Sequence, residues 1–70
     1  MTKEEALFEI WVWRRNNTGS FCSLLLDLMG KADRGNFLKL FMAFPELGQA
    51  YKDWYDAPSE DEFLNRIKKP

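Results

Sequence analysis

The sequence predicts an all-α protein: one compact bundle of four to five short helices, with residues 1–70 forming a single helical domain. Three observations lead there. Apolar side chains recur at spacings of three and four rather than in alternation, which is the period of a helix face. Two capping boxes, Thr2 with Glu5 and Ser59 with Glu62, mark helix starts near the two ends of the chain. Breakers at Asn16–Gly19, Gly30, Pro45 and Asp56–Pro58 cut the chain into segments of helical length. Seventy residues, 46% of them hydrophobic, suffice for one small core and not for two.

The first helix is expected to begin near residue 3, under the Thr2 cap. Leu7, Ile10 and Trp11 share one side, with Ala6 and Phe8 at its margins and Glu5 and Glu9 opposite. Arg14 and Arg15 occupy its last turn, where positive charge complements the helix dipole. Thr18 or Ser20 caps the second helix, and Ser20, Ser23, Asp27 and Lys31 read as a narrow solvent stripe along it. Phe21, Leu24, Leu25 and Leu28, with Cys22, Leu26 and Met29 beside them, then make it the central helix. Gly30 ends it and Asp33 caps a third. That third helix is expected to be buried as well, because Lys39 is its only charge between Phe37 and Phe44. Pro45 cannot continue a helix but suits the first position of a new one. The fourth helix is the most regular, with Leu47, Ala50, Tyr51 and Trp54 on one face and Glu46, Gln49, Lys52 and Asp53 on the other. A fifth, starting under Ser59 and ending near Lys68, offers Phe63, Leu64 and Ile67 as its apolar edge.

The residue inventory narrows the chemistry. There is no histidine, so the commonest general base and metal ligand is missing. Cys22 is the only cysteine, which leaves no intramolecular disulfide and no thiolate metal site. Its apolar neighbours should raise its pKa and make it a packing residue. Glu60, Asp61 and Glu62 form the densest carboxylate cluster, but they fit the first turn of a helix, where negative charge is favoured. No phosphate-binding glycine loop or dinucleotide fingerprint is present. The expectation is a protein that is not an enzyme and needs no cofactor or metal.

Ten basic and eleven acidic residues leave a net charge of −1, which recruits neither nucleic acid nor an anionic membrane. No apolar run approaches membrane-spanning length, and Lys3, Glu4 and Glu5 do not open a signal peptide, so the expected location is the cytoplasm.

Two regions stand out as partner-binding surfaces. On the helical wheel Trp13 falls close to Glu9 and precedes Arg14 and Arg15, which places a tryptophan at the rim of the core beside two arginines, the residue types that dominate binding hot spots. The alternative is that Trp13 covers a neighbouring helix and the arginines cap the first. The second region is acidic. Asp53, Tyr55, Asp56, Glu60, Asp61 and Glu62 lie in a stretch where Lys52 is the only positive charge, and such a patch fits a basic groove, including one built for nucleic acid. It also reads as a solvated helix start. The apolar surplus of the second and third helices further suits a homodimer.

The segments Glu4-Glu5-Ala6-Leu7-Phe8, Trp11-Val12-Trp13-Arg14-Arg15, Lys31-Ala32-Asp33-Arg34-Gly35-Asn36 and Phe44-Pro45-Glu46-Leu47, continuing to Tyr51, Trp54 and Tyr55, resemble small proteins of phages, prophages and mobile elements of Gram-positive gut bacteria. The resemblance implies context rather than chemistry. Such proteins often bind and block a host protein, as anti-CRISPR and other anti-defence proteins do. The leading expectation is therefore a non-enzymatic inhibitor that binds a host protein in the bacterial cell. The alternative is a small nucleic-acid-binding or transcriptional accessory domain built on two basic clusters, Arg14, Arg15 and Lys31 in one and Arg66, Lys68 and Lys69 in the other.

Overall fold

A computed structural model describes residues 1–17 and 19–67. It contains five helices in chain order, α1 (Lys3–Asn16), α2 (Phe21–Lys31), α3 (Arg34–Ala43), α4 (Pro45–Asp56) and α5 (Glu60–Ile67), and no strand among the described residues. The bundle is all-α, as the helical spacing predicts.

Local chemistry accounts for the boundaries. Thr2 and Glu5 close a capping box on α1: the Glu5 amide donates to Thr2 Oγ1 at 3.0 Å, and the Thr2 amide donates to Glu5 Oε1 at 2.7 Å. Ser20 caps α2 by accepting from the Ser23 amide, while Thr18 lies outside the described residues. Helix α2 runs one residue past Gly30 to Lys31. Asp33 accepts from the Asn36 amide at 2.8 Å and starts α3. Phe44 ends α3 and begins α4 in one residue, with Pro45 in the first turn, where a missing N–H costs nothing. Ser59 accepts from the Glu62 amide at 3.3 Å, and Glu60, Asp61 and Glu62 form the acidic first turn of α5. The expected end near Lys68 lies outside the described residues.

Packing departs from the expectation at three places. The buried line of α1 is Ala6, Ile10 and Trp13, with Leu7 and Trp11 half-buried and Phe8 exposed. The inward face is thus turned toward Trp13, away from the Leu7–Trp11 side. Helix α2 is turned about its axis from the expectation. Ser23 is fully buried and Asp27 half-buried, whereas Phe21, Leu24 and Leu28 of the expected inner line are exposed at 68%, 59% and 50%. This turn of the helix sets Asp27 against α1, where Trp13 Nε1 donates to Asp27 Oδ1 at 2.8 Å. Leu25, Leu26 and Met29 still fill the core beside it. Helix α3 is not buried either. None of its residues is enclosed, Phe37, Leu40 and Phe41 are half-buried, and Met42 is 82% exposed.

The centre of the bundle is therefore the pair α1 and α4, not α2. Helix α1 packs on α2, α4 and α5, and α4 also carries α2 and α3. Helix α4 buries Leu47, Gly48 and Ala50, with Tyr51 and Trp54 half-buried alongside, and α5 adds Phe63 and Leu64. At Gly48, α3 comes close. A Cβ there would stand 2.9 Å from a Phe41 ring carbon and 3.1 Å from the Phe41 Cα, so only a glycine admits this approach.

Candidate functional site

The end of α1 meets the start of α5, and there most of the sequence-predicted partner residues meet one another. Trp13 is 8% exposed, so it belongs to the core and not to its rim. Its ring packs edge-on to Trp54 at 4.9 Å and tilted against Tyr51 at 6.0 Å. Burying an indole leaves an N–H that needs an acceptor, and Asp27 supplies it. Truncating such a residue to alanine costs about 3–5 kcal/mol, a large share of a small domain's stability, so Trp13→Ala would report on folding before it reported on binding.

Arg14 follows on the surface. Its guanidinium lies 5.1 Å from the Trp13 ring centre and 4.9 Å from that of Trp54, and its Nε donates to Glu60 Oε1. The same Glu60 oxygen accepts from Trp54 Nε1 at 3.0 Å. The Arg14 hydrogen bond, and after it the Trp54 one, hold the Glu60 carboxyl below the usual carboxylate value. Arg15 stands 3.6 Å from Asp61. The basic and acidic regions that the sequence offers as separate anchors are thus each other's partners, a fastening of α1, α4 and α5. Both ends suit their helix dipoles, with cations at the C-terminus of α1 and anions at the N-terminus of α5. Exposed ion pairs of this kind contribute at most about 1 kcal/mol each.

The remaining acidic residues do not gather into one face. Asp53 is half-buried and accepts from Gln49 Nε2 at 3.0 Å on the side of α4 that faces Lys3 and Leu7. Glu62 is exposed on α5. Asp56 and Tyr55 lie elsewhere again, on the cleft between α3 and α4.

That cleft is an open trough of about 760 Å³. Aromatic rings pave it in a row. Phe41 lies 6.1 Å from Phe37, Phe37 lies 5.6 Å from Tyr51, and Tyr51 stacks on Tyr55 at 6.1 Å with 24° between planes. Burial pushes the Tyr51 hydroxyl above its ordinary pKa, with the neighbouring Tyr55 adding to the shift. Tyr55 is 70% exposed, Leu38 shares the rim, and Arg34, Lys52 and Asp56 bring charge of both signs to the edge. Sequence reasoning found Tyr55 and Asp56 here but missed Phe37, Leu38, Phe41 and Tyr51. The available signal was a matched pair of i, i+4 aromatics, Phe37 with Phe41 and Tyr51 with Tyr55, on two helices joined by a one-residue corner.

Cys22 is half-buried, and burial, followed by the nearby Glu9 carboxylate, raises its thiol pKa. Among the described residues no three histidine, cysteine or acidic side chains cluster as a metal site would require, and no helix is long and apolar enough to cross a membrane. Comparison with protein families, with curated proteins and with solved structures gives no match.

Proposed function

We propose that this chain is a non-catalytic protein-binding domain that engages its partner through the aromatic trough between α3 and α4 and acts by covering the partner's surface. One observation carries the reading: Tyr55 projects at the mouth of the trough while its ring is stacked on Tyr51, so a hot-spot residue is both exposed and held in place. A rigid amphipathic ring loses little conformational entropy on binding and supplies a large contact area. The rim charges Arg34, Lys52 and Asp56 are mixed in sign, which suits a folded protein surface better than a polyphosphate backbone. Arg14 and Arg15, two of the three residues of the first basic cluster that a nucleic-acid reading relies on, are already paired with Glu60 and Asp61. The resemblance to small phage and mobile-element proteins supplies the partner class: a host protein, a component of antiviral immunity among the choices, which binding would block.

The test is capture from nuclease-treated bacterial lysate on the immobilised chain, followed by affinity measurement with the protein recovered. Tyr55→Ala should weaken that complex by about 2 kcal/mol or more and leave the helical circular dichroism unchanged. An unchanged dissociation constant removes the trough from the interface, and recovery that nuclease abolishes moves the function to nucleic acid.

A further inference from the structure

A second surface, on the other side of α3 from Tyr55, has a shape and charge pattern that complement themselves. Phe21, Leu24 and Leu28 form an exposed ridge on α2 at spacings of three and four, with Lys31 three residues further on. This is the seam spacing of paired helices. Beside the ridge, α2 and α3 diverge and leave a furrow. At the start of α2 the furrow is walled by Phe21, Leu25, Ala43 and Phe44, with Glu46 at its end. Toward the end of α2 it is walled by Leu28 and Leu40, with Lys31, Lys39 and Asp33 at the opposite end. The Phe21 ring meets Phe44 edge-on at 6.0 Å, so α2 and α3 run antiparallel along the furrow.

We infer that a second copy of this chain covers this face, its α2 ridge laid antiparallel against the first across a two-fold axis between Leu24 and Leu25. Three features select this occupant. Ridge and furrow lie side by side on one surface, so a two-fold operation places each ridge over the partner's furrow, the arrangement an isologous interface requires. The ends also carry opposite charge. Lys31 and Lys39 outnumber Asp33 at one end, leaving it net positive; Glu46 stands at the other, where Glu9 also lies close enough to act on Cys22. The two-fold brings each cationic end to the partner's anionic end, and the ion pairs present within the described residues use none of these side chains. The exposed apolar area supplies a substantial part of such a contact. At roughly 200 Å² for a large apolar residue, the exposed parts of Phe21, Leu24, Leu28 and Phe44 amount to about 400 Å². That is about half of the ~800 Å² each partner gives a stable interface, and Leu40, Ala43 and the lysine stems extend it. A single foreign helix in the furrow would leave the crest at Leu24 in water, whereas a second copy covers both.

Sedimentation equilibrium of the full chain from micromolar to millimolar concentration tests this independently of the Tyr55 trough. A monomer–dimer equilibrium is expected. Leu24→Glu, on an exposed crest, should keep the helical spectrum and raise the dimer dissociation constant about a hundredfold or more. A charge exchange tests the register. One variant carries Lys31→Glu with Lys39→Glu, the other Glu9→Lys with Glu46→Lys; each alone should dimerise more weakly, and mixing them should restore a dimer. A monomer at every concentration, a dimer indifferent to Leu24→Glu, or exchanged variants that mixing does not rescue would each overturn the inference. So would a monomeric chain that captures a foreign protein only when Leu24 is present, which would assign the furrow to a foreign helix and leave the Tyr55 trough to its own test.

Discussion

Adding one methyl group to Gly48 should loosen the whole α3 side of the molecule. A helical Gly→Ala change ordinarily stabilises by about 0.8–1 kcal/mol, because alanine loses less backbone freedom on folding. At Gly48 the added Cβ would sit 2.9 Å from the Phe41 ring and 3.1 Å from the Phe41 Cα. The ring can turn away. The Cα cannot, so α3 must move off α4 as a unit. Overpacking of this kind costs typically ~1–3 kcal/mol, and a backbone neighbour puts the cost near the upper end. The expected net result is a loss of about 1–2 kcal/mol, equivalent to a fall in Tm of roughly 5–15 °C for a domain of this size. Gly30→Ala is the matched control, since its Cβ would meet only the Tyr51 hydroxyl at 3.5 Å, an ordinary contact, and it should stabilise by about 0.5–1 kcal/mol. Thermal and urea unfolding followed by circular dichroism measure both. A Gly48→Ala protein as stable as the parent would refute the close approach of α3 and α4, and with it the floor of the aromatic trough.

Two further outcomes follow from buried and charged groups. Ser23 is fully buried and its Oγ has no hydrogen-bond partner among the described residues, so Ser23→Ala should raise stability by about 1 kcal/mol in urea unfolding; a clear loss would mean the hydroxyl is satisfied after all. The Glu60 carboxyl is held below its unfolded value by Arg14 and Trp54, so its stabilisation is present above the ordinary carboxylate range and disappears as pH falls through the folded pKa. Unfolding of parent and Glu60→Gln should accordingly differ most at neutral pH and converge in acid, and parallel stability curves across that range would count against the Glu60 contact.

The all-α class, a count of four to five helices and nearly all of their boundaries were legible in the chain, because caps and breakers act on the backbone within a few residues of themselves. Thr2 with Glu5, Asp33, Pro45 and Ser59 behave in the structure as their local chemistry requires. The inward faces of α4 and α5 were legible for a related reason: each has one apolar side, so there is only one way to bury it. Helix α2 has apolar residues nearly all round, and there periodicity is silent. Its orientation was decided by how it packs on α1 and α4, which seats the Asp27 carboxylate on the Trp13 indole fourteen residues away and leaves Phe21, Leu24 and Leu28 outward. The candidate sites divide along the same line. Tyr55 and Asp56 could be named from composition, but only the fold could show that Arg14 and Arg15 pair with Glu60 and Asp61, residues more than forty positions away. Which charges face a partner and which face each other is a property of the distances between helices, and those distances exist only once the chain has packed.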